Sequence, residues 1–237
     1  MVISYTEVKM KKKRAPTTSN EKEIREYIRE GYAAQYPNAC IRDEFTTEGL
    51  EHRNDLFLVD ENIIISIEIK SDKDNLRKLR SQCLEYLTYS SIVVIVLDQK
   101  HLKKFNKDFQ DLKDHPNMIT LIYHKDEYSS WTKAINNCQV KDFPDIFNLL
   151  WSSELLLFRS KLKNKSKIKN NSIASTKMIN NTFSPEDKDL ITKHLFIKRM
   201  REDTHRKIKY NPTLIDSVIL DLIQENQDNY NNYLKGI

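Results

Sequence analysis

Two spacings of apolar residues alternate along the first half of the chain. Ile24, Tyr27, Ile28 and Ala34 recur at helical intervals. Ser19 or Asn20 can cap that helix, Glu21 and Glu23 suit its first turn, and Tyr36-Pro37-Asn38 ends it. Shorter runs follow. Cys40–Thr46 predicts a strand, and Leu56–Val59 with Ile63–Ile67 predicts an antiparallel pair joined through Asp60-Glu61-Asn62. The period then returns to 3.6. Leu76, Leu79, Cys83, Leu84 and Leu87 predict a helix from Asp72 to about Ser90, capped by Asp72 or Asp74. Ser91–Leu97 is apolar and β-branched almost throughout, as in a strand buried on both faces. A helix over Lys100–Leu112 and a strand over Met118–His124 complete the series. Residues 19–124 therefore read as α-β-β-β-α-β-α-β, an α/β unit with a mixed central sheet and helices on its faces.

The pattern changes beyond this unit. Residues 125–143 read as irregular and hold Trp131. From Phe143 to Phe158 an apolar helix is expected on Ile146, Phe147, Leu149, Leu150, Trp151, Leu155, Leu156 and Phe158. It would pack on the sheet or on a partner chain, so a homodimer is expected either through this helix or through the C-terminal helices. Lys161, Lys163, Lys165, Lys167 and Lys169 then alternate with polar and aliphatic residues. That stretch, 161–183, reads as a solvated linker or as a basic strip for phosphates. Ser184-Pro185-Glu186-Asp187 starts a helix to about Lys209, and Asn211-Pro212-Thr213 breaks it. A last helix is expected from about Pro212 to Gln227 on Leu214, Ile215, Val218, Ile219, Leu222 and Ile223. The organisation so read is a basic flexible arm (1–18), an α/β domain (19–160), a basic linker (161–183) and a small helical module (184–237). The arm carries Lys9, Lys11, Lys12, Lys13 and Arg14, which suit either a solvated tail or a contact to phosphates.

Composition removes several function classes. Of 237 residues, 31% are charged and 39% hydrophobic, and no apolar run approaches a membrane span. No apolar segment follows the basic start, so a cytoplasmic protein with no membrane partner is expected. The three cysteines, Cys40, Cys83 and Cys138, are far apart, which argues against a disulfide framework or a zinc site. His101, His115 and His124 show no metal-binding spacing. Three glycines leave little room for phosphate loops, and neither a Walker A pattern nor GxGxxG occurs. The net charge of +5 is mild.

The chemistry concentrates in residues 53–70. Asp55 opens one strand of the hairpin, and Glu68 and Lys70 close the other with Ile69 between them. In a strand, residues two apart share a face, so Glu68 and Lys70 project together while Ile67 and Ile69 enter the core. Folding Asp55 back beside Glu68 puts two carboxylates and one ammonium at one spot. Such a set at a strand end is costly unless paired or metal-bound. It suits a divalent cation and an activated water, although an ordinary Glu68–Lys70 ion pair is the plainer alternative.

The stretch Arg53-Asn54-Asp55 … Glu68-Ile69-Lys70-Ser71-Asp72-Lys73-Asp74-Asn75-Leu76 … Gln82 … Tyr86 resembles the PD-(D/E)xK nuclease superfamily, and within it the MmcB-like branch. The likeness covers roughly residues 40–100. The acid in Arg53-Asn54-Asp55 departs from the pattern by lacking a preceding proline. The resemblance implies a restriction-endonuclease-like αβββαβ core with a helical C-terminal addition. It implies that Asp55, Glu68 and the Ile69 carbonyl hold Mg²⁺ or Mn²⁺, and that Lys70 orients or deprotonates the attacking water. Gln82 would point into the site from the following helix, and Glu23 or Glu44 would supply a further acid. Tyr86 reads more naturally as core. Arg53, Arg77 and Arg80, with Lys161, Lys163, Lys165, Lys167 and Lys169, are the candidates for phosphate contact.

The function expected on this basis is metal-dependent hydrolysis of DNA phosphodiesters. An assembly or nucleic-acid-binding protein with a non-catalytic core, and an RNA-directed nuclease, are the alternatives. The Lys/Asn/Ile-rich composition suits an AT-rich genome such as that of a phage or mobile element, which would place the protein in host cytoplasm.

Overall fold

The computed structural model describes residues 21–46, 51–60, 63–124, 127–128, 160–161, 172–201 and 217–236. The basic arm, the 143–158 helix, and Lys163, Lys165, Lys167 and Lys169 lie outside them. The chain divides into two compact units, which are described separately.

In the first unit, helix α1 (Glu21–Gln35) precedes strands β1 (Cys40–Phe45), β2 (Asn54–Val59) and β3 (Ile64–Lys70). Helix α2 (Leu79–Tyr86), β4 (Ile92–Asp98), a 3₁₀ turn (Gln99–His101), α3 (Leu102–Asp108), α4 (Gln110–Lys113), β5 (Met118–His124) and β6 (Glu127–Tyr128) follow. The six strands lie in the order β1-β2-β3-β4-β5-β6. β1–β2, β2–β3 and β5–β6 are antiparallel, whereas β3–β4 and β4–β5 are parallel. This is the expected α/β fold with a mixed sheet and an αβββαβ core.

Alternation along the strands decides what each face carries. Ile65, Ile67 and Ile69 of β3 join Leu56, Leu58, Val94 and Val96 in one cluster with Ile24, Ile28 and Tyr32 of α1. The three α1 residues recur every four positions, so one side of the helix is buried. Tyr32 takes the place expected for Ala34, which is exposed. Fully burying each such side chain is worth roughly 1.5–3 kcal/mol. Ser66, Glu68 and Lys70 occupy the alternate positions of β3 and project to the other face. The hairpin turn is closed at its base: Asp60 N–H donates to the Ile63 carbonyl, and Ile63 N–H donates to Asp60 Oδ1.

Two expected helices are shorter. The helix placed at Asp72–Ser90 starts at Leu79 and ends at Tyr86. Ser71 N–H and Oγ–H both donate to Asp74 Oδ2, at 2.8 and 2.6 Å, which holds the chain in a turn where a helix was expected. The helix expected over Lys100–Leu112 is divided at Phe109, whose backbone leaves the helical region (φ −130°, ψ 37°).

In the second unit, the described helices are α5 (Ser172–Thr182), α6 (Pro185–Arg201), α7 (Ser217–Glu225) and α8 (Gln227–Lys235). The predicted start of α6 holds: Asp187 N–H donates to Ser184 Oγ and Ser184 N–H to Asp187 Oδ2. Part of the expected linker is helical, because Met178, Ile179 and Phe183 of the α5 region are buried. The Asn-rich tail also forms a helix, α8, on buried Tyr230 and Leu234. Asn226 separates it from α7 and donates to Asp187 Oδ2 and to the Leu222 carbonyl.

Candidate active site on the β2–β3 hairpin

Antiparallel register brings the carboxylates together. Leu56 pairs with Ile67, so the next residues outward, Asp55 and Glu68, stand opposite each other. Cβ atoms of such pairs lie about 4.5–5.5 Å apart. Asp55 Oδ2 accepts from Ile69 N–H at 2.7 Å, which turns the Asp55 side chain toward β3. Glu68 is 1% exposed. Its Oε1 accepts from Lys70 Nζ at 2.5 Å and from Gln82 Nε2 at 2.6 Å. The Tyr86 hydroxyl lies 2.9 Å from Glu68 Oε2 and 2.8 Å from the Arg53 carbonyl, and its one proton serves one of them at a time. Gln82 and Tyr86 are four apart on α2, so both reach the same strand.

The electrostatics follow from burying like charges. Burial, and after it the Glu68 charge, pushes the Asp55 carboxyl up to about 8, against the Ile69 N–H and Lys70. Burial also raises Glu68, although Lys70, Tyr86 and Gln82 all favour its charged form. Burial alone would lower Lys70, but Glu68 and then Asp55 and Asp74 more than offset it, so its ammonium is strengthened. Lys70 therefore stands as an ammonium beside Glu68. Burial and the Glu68 charge raise the Tyr86 hydroxyl and the Cys83 thiol well above their ordinary ranges.

The donor set bears on a metal. Among the described residues no three His, Cys, Asp or Glu side chains gather closely enough to hold one. Two carboxylates do converge, and buried Gln82 Oε1 has no hydrogen-bond partner although its amide already touches Glu68. Oxygen donors of this kind suit a hard cation, with a main-chain carbonyl such as Ile69 and water completing its shell.

The structure separates the remaining candidates. Glu44 has φ 50° and an exposed carboxylate, which pairs with Arg53 Nη1 at 3.1 Å and Arg25 Nη1 at 3.5 Å. An α1 acid whose charge acts on Asp55 is Glu21, which also pairs with Arg25. Arg80 is committed elsewhere, since it makes a two-bond pair with Asp111, donates to the Asp108 carbonyl and lies over the Phe109 ring. Arg53, Arg77 and Lys161 are exposed. Sequence reasoning reads Tyr86 as core, Glu21 as a first-turn acid and Asp74 as a helix cap, and gives Arg25 no role. The four-residue spacings Gln82–Tyr86 and Glu21–Arg25 were the available signals.

Tyr86→Phe should leave the fold intact, cost about 1 kcal/mol of stability, and lower any cleavage activity about tenfold. Thermal unfolding together with a cleavage assay checks this, and unchanged activity would return Tyr86 to a purely packing role.

A family model described as bacteriophage P4 protein cII matches residues 9–112, which include every element that builds this site. No curated protein and no solved structure matches the chain.

Proposed function

We propose that the protein is a divalent-metal-dependent nuclease that hydrolyses DNA phosphodiester bonds. One observation carries the reading: Asp55, Glu68 and Lys70 converge on one face of the β2–β3 hairpin, with two carboxylates held at a cost that a cation would relieve. Asp55 and Glu68 would hold Mg²⁺ or Mn²⁺ together with the Ile69 carbonyl. When bound, the metal supplies Lewis acidity and lowers the pKa of a coordinated water. Lys70, held as an ammonium beside Glu68, orients the attacking water and donates to the phosphate oxygen on which charge grows. Gln82 fixes Glu68 from α2. Arg53 and Arg77 of the first unit and, in the second unit, Lys161 are exposed and are among the cations that could meet a nucleic-acid backbone. The bacteriophage family match fits an origin in a phage or mobile element, with action in host cytoplasm.

One observation favours a second reading, a non-catalytic nucleic-acid-binding core. Lys70, Gln82 and Tyr86 already serve both Glu68 oxygens, as a structural ion pair would require.

Cleavage of plasmid, linear duplex, single-stranded and branched DNA, with RNA beside them, separates the readings when run with Mg²⁺, Mn²⁺ and EDTA. Lys70→Ala should cut the metal-dependent rate about 10²–10³-fold. Binding of DNA without cleavage under either metal would favour the second reading, and preference for the RNA would redirect the substrate.

A further inference from the structure

We infer that His101 is a positioning residue, which fixes the chain just beyond β3 so that Lys70 stays on Glu68. The inference rests on the reading of Lys70 as the group that serves the water. β3 and β4 are parallel neighbours, with Lys70 level with Leu97. The 3₁₀ turn Gln99–His101 folds back directly after β4, where Asp98 Oδ1 accepts from Lys100 N–H. That turn brings His101 beside the end of β3. His101 is 6% exposed, and its Nε2 lies 2.9 Å from the Ser71 carbonyl. A carbonyl only accepts, so Nε2 carries the proton.

Ser71 is the next residue after Lys70, and it is held from three sides. Its carbonyl takes His101 Nε2–H and the Asp74 N–H, the latter at 3.2 Å. Its own N–H and hydroxyl both donate to Asp74 Oδ2. Asp74 also acts on the Lys70 charge. The same turn keeps residues 72–78 out of the helix and delays α2 to Leu79, and this start sets where Gln82 meets Glu68. Without the His101 bond, a buried carbonyl loses one partner and β3 loses its lateral tie to β4 beyond the ladder. Lys70 would then sample positions away from Glu68. A misplacement of about 1 Å at a reacting group can cost about 10²-fold in rate.

The test compares His101→Leu, which removes the donor, with His101→Gln, whose amide can replace it, in the full chain. One readout is independent of cleavage: acylation of Lys70 by an amine-selective reagent, followed by peptide mass spectrometry and normalised to exposed Lys73 and Lys78. His101→Leu should raise Lys70 labelling about threefold or more and lower kcat at least about tenfold, with KM within about twofold. His101→Gln should resemble the wild type in both. Wild-type labelling of Lys70 in His101→Leu, or equal damage in His101→Gln, would overturn the inference. If the wild type cuts no nucleic acid, the nuclease reading falls and the labelling still decides the role of His101. If His101→Leu does not fold, ¹⁵N NMR of the wild-type imidazole decides, because a neutral ring protonated on Nδ1 contradicts the proposed donor.

Discussion

Asp55→Asn is expected to abolish metal-dependent cleavage and, in the metal-free protein, to raise stability. Both effects have one cause. The native carboxyl is pushed up to about 8 by burial and by Glu68, so the folded state resists ionising it until the pH passes about 8. An unfolded aspartate ionises near 4. The folded molecule therefore holds this proton over a range where the unfolded chain has lost it. Its contribution to stability is full below about pH 4 and is lost as the pH rises through about 8. Asparagine keeps an oxygen for the Ile69 N–H and carries no charge. At pH 8.5 the variant should be more stable than the wild type by at least ~1.4 kcal/mol, the equivalent of one pKa unit. At pH 5 the gap should be much smaller, and it should close below about pH 4. Cleavage should fall ~10³-fold or more, as when one member of a catalytic set is removed. Denaturant unfolding at the two pH values, with the cleavage assay, checks both halves. A variant that is less stable at pH 8.5, or that still cuts, would contradict the assignment of Asp55.

The fold and the centre of the site were legible because both rest on short-range patterns. Period-two alternation in Ile63–Ile69 sets which residues of β3 enter the core, and the same alternation puts Glu68 and Lys70 on the opposite face. Register in the hairpin then carries Asp55 to Glu68. What was not legible depended on side-chain competition with the backbone or on contacts distant in sequence. Ser71 and Asp74 form a turn at the expected helix start. Tyr86 has the spacing of a core residue, and only the approach of Arg53 and Glu68 from the hairpin gives its hydroxyl two acceptors. Arg80 is a candidate for phosphate contact in the sequence, where its pairing with Asp111 of α4 cannot be read. The polar α5 and α8 were hidden by composition: a few buried residues, Met178, Ile179, Tyr230 and Leu234, sit in long Asn- and Lys-bearing stretches.

Metal binding and pH should be linked through the same carboxylates. A divalent cation needs Asp55 and Glu68 ionised, whereas the metal-free fold raises both. Binding of Mg²⁺ or Mn²⁺ near pH 7 should therefore release close to one proton from Asp55, with any further release from Glu68 added to it. Affinity should rise by about one log unit per pH unit below pH 8 and flatten above it. The sign for stability follows. Metal-free protein loses stability as the pH rises toward 8, while saturating metal stabilises the ionised site, so the gain in melting temperature on adding metal should be larger at pH 8.5 than at pH 6. Calorimetric titration in two buffers of different ionisation enthalpy counts the protons, and thermal unfolding at both pH values measures the gain. Lys70 sharpens the test, because its ammonium already neutralises part of the Glu68 charge. Lys70→Met removes that competitor and should tighten metal binding while cleavage falls. Metal affinity independent of pH between 6 and 8.5, or weakened by Lys70→Met, would mean that the two carboxylates do not hold the ion together.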